Sequence, residues 1–83
     1  MNKNNKLTLE TILSVIDDYQ TIAIKYGGNT LYYGRRMYFV PTEIHSSIYV
    51  LNVIIENGYK IDRVTNQPNK LPYILISVDK NFE

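Results

Sequence analysis

The sequence predicts an α+β fold: an N-terminal amphipathic helix packed on a curved antiparallel sheet, or a small open barrel, of about five strands. Three observations carry this expectation. The early segment TLETILSVIDDY spaces its apolar residues with a helical period, whereas the apolar residues after Gln20 alternate with a period of two. The alternating stretches are separated by Gly-Gly, Pro and Asn-Gly steps, the residue types that turns and strand ends demand.

The helix comes first, over residues 8–19. Leu9, Ile12, Leu13 and Ile16 fit the i, i+3, i+4, i+7 stripe, Thr8 is the natural N-cap, and Glu10 falls in the first turn where the helix dipole favours an acid. About three turns are expected. From Gln20 onward Ile22, Ile24 and Tyr26 alternate with Thr21, Ala23 and Lys25, as on a half-buried strand. Gly27-Gly28-Asn29 supplies the left-handed conformations of a tight hairpin. A second strand then runs over 30–40, bent by a bulge at Gly34 and stopped by Pro41.

Residues 41–45, PTEIH, read as one helical turn led by proline. The next strand, over 48–56, is apolar on both faces: Tyr49, Leu51, Val53 and Ile55 on one, Ile48, Val50 and Ile54 on the other. A strand of that kind sits centrally or at a dimer seam. Asn57-Gly58 reads as a type I′ turn into a strand over 59–64, followed by a polar loop over 65–70 and a last strand over 71–78.

With 83 residues the chain makes one domain, 1–83, with tails expected at 1–6 and 80–83. Nine Lys and Arg against eight Asp and Glu leave a net charge of +1, too balanced for a protein that holds nucleic acid by overall charge. The absence of cysteine removes disulfides, thiolate nucleophiles and cysteine-type zinc sites, and suits a reducing cytoplasm. The longest apolar runs, IYVLNVII and LPYILISV, fall well short of the roughly 20 residues that span a bilayer. A cytoplasmic protein with no membrane partner is expected.

No catalytic set stands out. His45 is the sole histidine, and Glu43, Ser46 and Ser47 are only its sequence neighbours, without the spacing a triad implies. Asp17 and Asp18 lack any metal-ligand pattern, and Gly27-Gly28 lacks the lysine and helix of a phosphate loop. A non-enzymatic protein without cofactor or metal follows.

Eight tyrosines remain to be explained. Tyrosine combines a rigid apolar face with a polar tip, which serves protein interfaces and base stacking, although β-propensity alone also enriches it on wetted sheet faces. The stretch LYYGRRMYF, residues 31–39, concentrates the question. Alternation places Leu31, Tyr33, Met37 and Phe39 on a core side; a bulge at Gly34 would move Arg35 off that side. Tyr32, Arg35, Arg36 and Tyr38 then form an exposed aromatic and cationic surface, the candidate partner- or ligand-binding site.

The outline of the chain resembles a loose group of very small proteins encoded by bacteriophages and mobile elements. It has a short leading helix (TLETILSVIDDYQ), a strand and turn (TIAIKYGGNTLYYG), a proline-led turn before a long strand (VPTEIHSSIYVLNVII) and a closing ILISV, covering residues 7–78. The resemblance implies an accessory protein made in the infected bacterial cell, and members with known roles often block host defences. The expectation is an anti-CRISPR-like inhibitor that occupies a functional surface of a host defence protein such as a CRISPR effector. The alternatives are a sponge for a nucleotide signal, with tyrosines stacking on the base and Arg35 or Arg36 on phosphate, and a phage structural or regulatory subunit. A homodimer is expected, because one short helix cannot cover both faces of the strand over 48–56.

Overall fold

A computed structural model describes residues 7–82. Its elements are α1 (Leu9–Leu13), β1 (Thr21–Tyr26), β2 (Asn29–Arg35), a single 3-10 turn (Arg36–Tyr38), α2 (Glu43–Ser46), β3 (Val50–Ile61) and β4 (Pro68–Val78). The four strands form one mixed sheet in the order β2-β1-β4-β3. β1 pairs antiparallel with β2 and parallel with β4, and β3 pairs antiparallel with β4. The fold is therefore α+β, with four strands in an open sheet in place of the five antiparallel strands or barrel that alternation suggested.

One face of this sheet carries the core. Ile22 and Ile24 of β1 and Ile76 and Val78 of β4 pack with Leu9 and Leu13 of α1, and with Phe39 and Ile48 from the connecting segments. All are buried. At the C-terminal end Phe82 stacks on Phe39 with ring centroids 5.6 Å apart, so the expected tail over 80–83 contributes an aromatic ring to the core; residues 1–6 lie outside the described part.

Helix α1 starts as the sequence demands, with the Thr8 side chain accepting from the Thr11 N–H. It is shorter than expected. After Leu13 the bonds tighten to Val15 N–H on the Ile12 carbonyl and Ile16 N–H on the Leu13 carbonyl, a 3-10 pattern typical of helix ends. The Asp17 carboxylate then accepts from the Tyr19 N–H, and the Asp17 carbonyl from the Gln20 N–H, which turns the chain into β1. Asp17 and Asp18 thus lie in the turn that follows the helix.

The β1–β2 hairpin closes through Gly27-Gly28 as expected, with Tyr26 opposite Asn29 and Gly27 at φ +59. The bulge lies elsewhere than predicted. Ile24 faces Tyr32 while Lys25 faces Thr30, so Leu31 is the extra residue, and Gly34 sits in register opposite Ile22. In consequence both Leu31 and Tyr32 pack against the core. The Arg36 N–H still donates in register to the Gln20 carbonyl, but the Met37 N–H reaches past Tyr19 to the Asp18 carbonyl as the 3-10 turn begins, so β2 ends at Arg35.

Asn57-Gly58 forms no turn. β3 runs straight through it, with Asn57 opposite Pro72 and Gly58 opposite Leu71. The Tyr73 ring lies over Gly58, where an added Cβ would stand 3.5 Å from Tyr73 Cε1, an aromatic covering a strand glycine. The chain reverses at Asp62. Its carboxylate accepts from the Val64 and Thr65 N–H groups, its carbonyl accepts from the Asn66 N–H, and Asn66 takes φ 61. A turn at 57–58 would have allowed only short strands; reversing at Asp62 gives a long ladder and more paired backbone.

This ladder makes a protruding arm. β1 meets β4 only from Ile74 onward, so the β4 segment before it pairs with β3 alone. The described chain accordingly measures 50 × 27 × 24 Å. β3, expected at the centre or at a dimer seam, is an edge strand of this sheet.

Candidate functional site: the helix-free face of the sheet

Strand alternation sends Ile22 and Ile24 to the helix side and leaves Ala23 on the other. Across the sheet Ala23 lies between Tyr33 of β2 and Leu75 of β4, and Leu75 faces Ile54 of β3. No described helix packs on this side. Tyr33 and Tyr73 meet edge to face over the short Ala23 side chain, with ring centroids 5.4 Å apart. Small residue below and large rings above is what lets two tyrosines from strands that are not neighbours touch. Tyr33 remains 57% exposed, and Ile54 and Leu71, farther along the same face on β3 and β4, are exposed as well.

Arg35 follows Tyr33 by two positions on β2, opposite Thr21, and so belongs to the same face. Its guanidinium lies 5.7 Å from the centroid of the Tyr19 ring, a cation–π geometry. Lys25 is brought to this face by alternation along β1, and neither β1 nor β2 contains an acid. The aromatic surface is therefore cationic at its β1–β2 end.

The four residues singled out from sequence divide. Arg35 and Tyr38 are exposed, the latter at 70%. Tyr32 and Arg36, expected beside them on the surface, are half-buried and structural. The Tyr32 hydroxyl donates to the Arg35 carbonyl at 2.6 Å, and its ring lies 5.0 Å from that of Phe39. Arg36 donates from Nε to the Leu13 carbonyl at 2.8 Å and from Nη1 to the Phe39 carbonyl at 3.1 Å. One guanidinium thus adds a charged donor to the Leu13 carbonyl, which also accepts from the Ile16 N–H, and holds the chain leaving the 3-10 turn.

Sequence reasoning missed Tyr19, Tyr33 and Tyr73. Tyr33 was assigned to the core because the bulge was placed three residues too late, and Tyr19 was placed in a helix that stops before it. For Tyr73 the signal was present: it shares its alternation phase with Leu71 and Leu75, in a strand whose other phase supplies Ile74, Ile76 and Val78 to or against the core.

His45 belongs to the packing of α2. Its Nδ1 accepts from the Thr42 N–H at 3.1 Å, and its ring lies 4.4 Å from Phe82 and 5.3 Å from Phe39. Among the described residues no group of three or more His, Asp or Glu side chains is placed to hold a metal ion. No described helix is long and apolar enough to cross a membrane. A concavity of about 600 Å³ lies away from the tyrosines, at the tip of the arm between Lys60, Arg63, Asn69 and Leu71.

No protein-family model, curated protein or solved structure matches the chain.

Proposed function

We propose that this chain is a non-enzymatic binding protein that uses the helix-free face of its sheet to occupy a surface of another protein. The observation that carries the reading is the pairing of Arg35 with Tyr19 next to the Tyr33–Tyr73 contact. Tyrosine and arginine dominate interface hot spots, and here Tyr33, Arg35 and Tyr73 stand on strands that fix their positions, with Tyr19 in the turn that leads into β1. The absence of acids on β1 and β2 suits a partner surface that is acidic beside an apolar patch. A bacterial defence protein, blocked in the manner of an anti-CRISPR, is the target class suggested by the resemblance of the sequence outline to small phage proteins. The open sheet face favours a protein over a nucleotide, which is usually held in an enclosing cleft.

The test is capture by the tagged full chain from bacteria carrying defence systems, run beside Arg35→Ala and with heat-released small molecules analysed in parallel. A protein retained by the parent and lost by an Arg35→Ala chain of unchanged thermal stability supports the reading. Equal capture by both chains, or a released nucleotide without a protein, overturns it.

A further inference from the structure

The two edges of the β3–β4 arm are built differently. The Asp62 N–H donates to the Gln67 carbonyl at 2.9 Å, which sets the phase of the ladder. In an antiparallel pair every second residue pair exchanges its bonds and the pairs between them point outward. The register is unbroken from Asn52 to Ile61, so Lys60/Asn69, Gly58/Leu71 and Glu56/Tyr73 are the bonded pairs, and Ile61/Pro68, Tyr59/Lys70 and Asn57/Pro72 point away. The Pro72 carbonyl indeed accepts from Gln20 Nε2, outside the ladder, at 3.4 Å.

Both prolines of β4 therefore sit where their missing N–H would have faced outward, which blunts that edge against any further strand. β3 has no such guard. Val53, Ile55, Asn57, Tyr59 and Ile61 aim their backbone groups at an edge that no described strand occupies. Ile55, Tyr59 and Ile61 are 68%, 66% and 56% exposed along it.

We propose that this edge pairs with β3 of a second copy of the chain, antiparallel about a two-fold axis at Gly58. In that register Asn57 bonds Tyr59 of the second copy, Ile55 stands beside its Ile61, and Glu56 faces its Lys60, with each relation repeated by symmetry. Glu56 and Lys60 share the face opposite Ile55 and Ile61, four residues apart on one strand. They are about 13 Å apart along it, too far to pair within one chain. The charges select the register. Centring on Glu56 or Lys60 sets like charges opposite each other, centring on Tyr59 sets Glu56 against Asp62, and centring on Asn57 pairs no charges; the Gly58 centre makes two opposite-charge pairs. The axis is perpendicular to the sheet, so the Tyr33–Tyr73 faces of both copies lie on one side of an eight-stranded sheet. The pairing does not depend on the proposed function of that face.

The experiment is sedimentation equilibrium of the full chain from about 1 to 100 μM, with thermal melts at each substitution. The parent should dimerise. Lys60→Glu or Glu56→Lys turns both symmetry-related pairs repulsive and should weaken the dimer about tenfold or more, while the double exchange E56K/K60E should restore it to within about threefold. Asn57→Pro, which removes an outward N–H and leaves the β4 ladder intact, should give a folded monomer. A parent that is monomeric at the highest concentration, a double exchange that fails to restore association, or a folded Asn57→Pro chain that still dimerises overturns the proposal.

Discussion

Arg36 holds the end of α1 through Leu13: its Nε donates to the Leu13 carbonyl at 2.8 Å while Nη1 reaches Phe39 on the far side of the 3-10 turn. Two segments 23 residues apart in sequence are joined by one planar fork. Removing it leaves two half-buried carbonyls without their charged donor. Arg36→Ala should destabilise the fold by about 2 kcal/mol, a fall in Tm near 10 °C for a domain of this size. Arg36→Lys should recover less than half, because an ammonium cannot serve both oxygens with the same geometry. Melts of the three chains check this, and an unchanged Tm for Arg36→Ala would return the residue to the binding surface.

Arg35, its sequence neighbour, should behave in the opposite way. Its guanidinium stacks on an exposed tyrosine and makes no described bond to the backbone core. Arg35→Ala should leave stability within about 0.5 kcal/mol and weaken partner binding by about 2 kcal/mol, roughly thirtyfold. Binding and melting measured on the same preparation separate the two arginines.

Gly34 is required by Tyr32. A Cβ there would lie 2.8 Å from the Tyr32 hydroxyl, which is itself held by the Arg35 carbonyl, and the backbone sits at φ +158. Gly34→Ala should cost about 1–2 kcal/mol. In a Tyr32→Phe background the nearest obstacle recedes to the ring carbon at 3.2 Å, so the same substitution should cost about 0.5 kcal/mol less. A denaturation cycle over the four chains measures the coupling, and strict additivity would show that the hydroxyl is not the obstacle.

The turn at the tip of the arm should loosen in acid. The N–H groups of Val64 and Thr65, with Asn69, hold the Asp62 carboxyl below its ordinary 3.8. A depressed carboxylate contributes stability above its unfolded value and loses it as pH falls through the folded one, so the loss begins below 3.8. The Val64 and Thr65 amide resonances should shift with a midpoint under that value, and Asp62→Asn should abolish the titration. A midpoint above it would contradict the turn geometry.

The parts of the fold legible in the sequence are those decided by neighbours. Thr8 caps α1, Gly27-Gly28 closes a hairpin, a single helical turn follows Pro41, and Ile22, Ile24, Ile74 and Ile76 alternate into or against the core. Each rests on a backbone preference or side-chain period acting within a few residues. Asn57-Gly58 shows where that reasoning stops. Its local preference for a turn yields to a ladder that pairs both flanks with one long partner, and to the Asp62 turn that closes it.

The same division applies to the candidate site. The sequence by itself determined that tyrosines and arginines crowd residues 31–39 and that β1 and β2 hold no acid. Which of them face outward was decided only in the tertiary structure, by the extra residue Leu31 in β2 and by the early end of that strand at Arg35. A shift of one residue inverts a strand's faces, so Tyr32 went to the core and Tyr33 to the surface. Likewise nothing near Arg36 in sequence announces Leu13; the bond exists because the 3-10 turn carries the guanidinium to the end of α1. Period and turn chemistry are properties of short segments, whereas strand order, register and the partner of a buried charge depend on which distant segments meet.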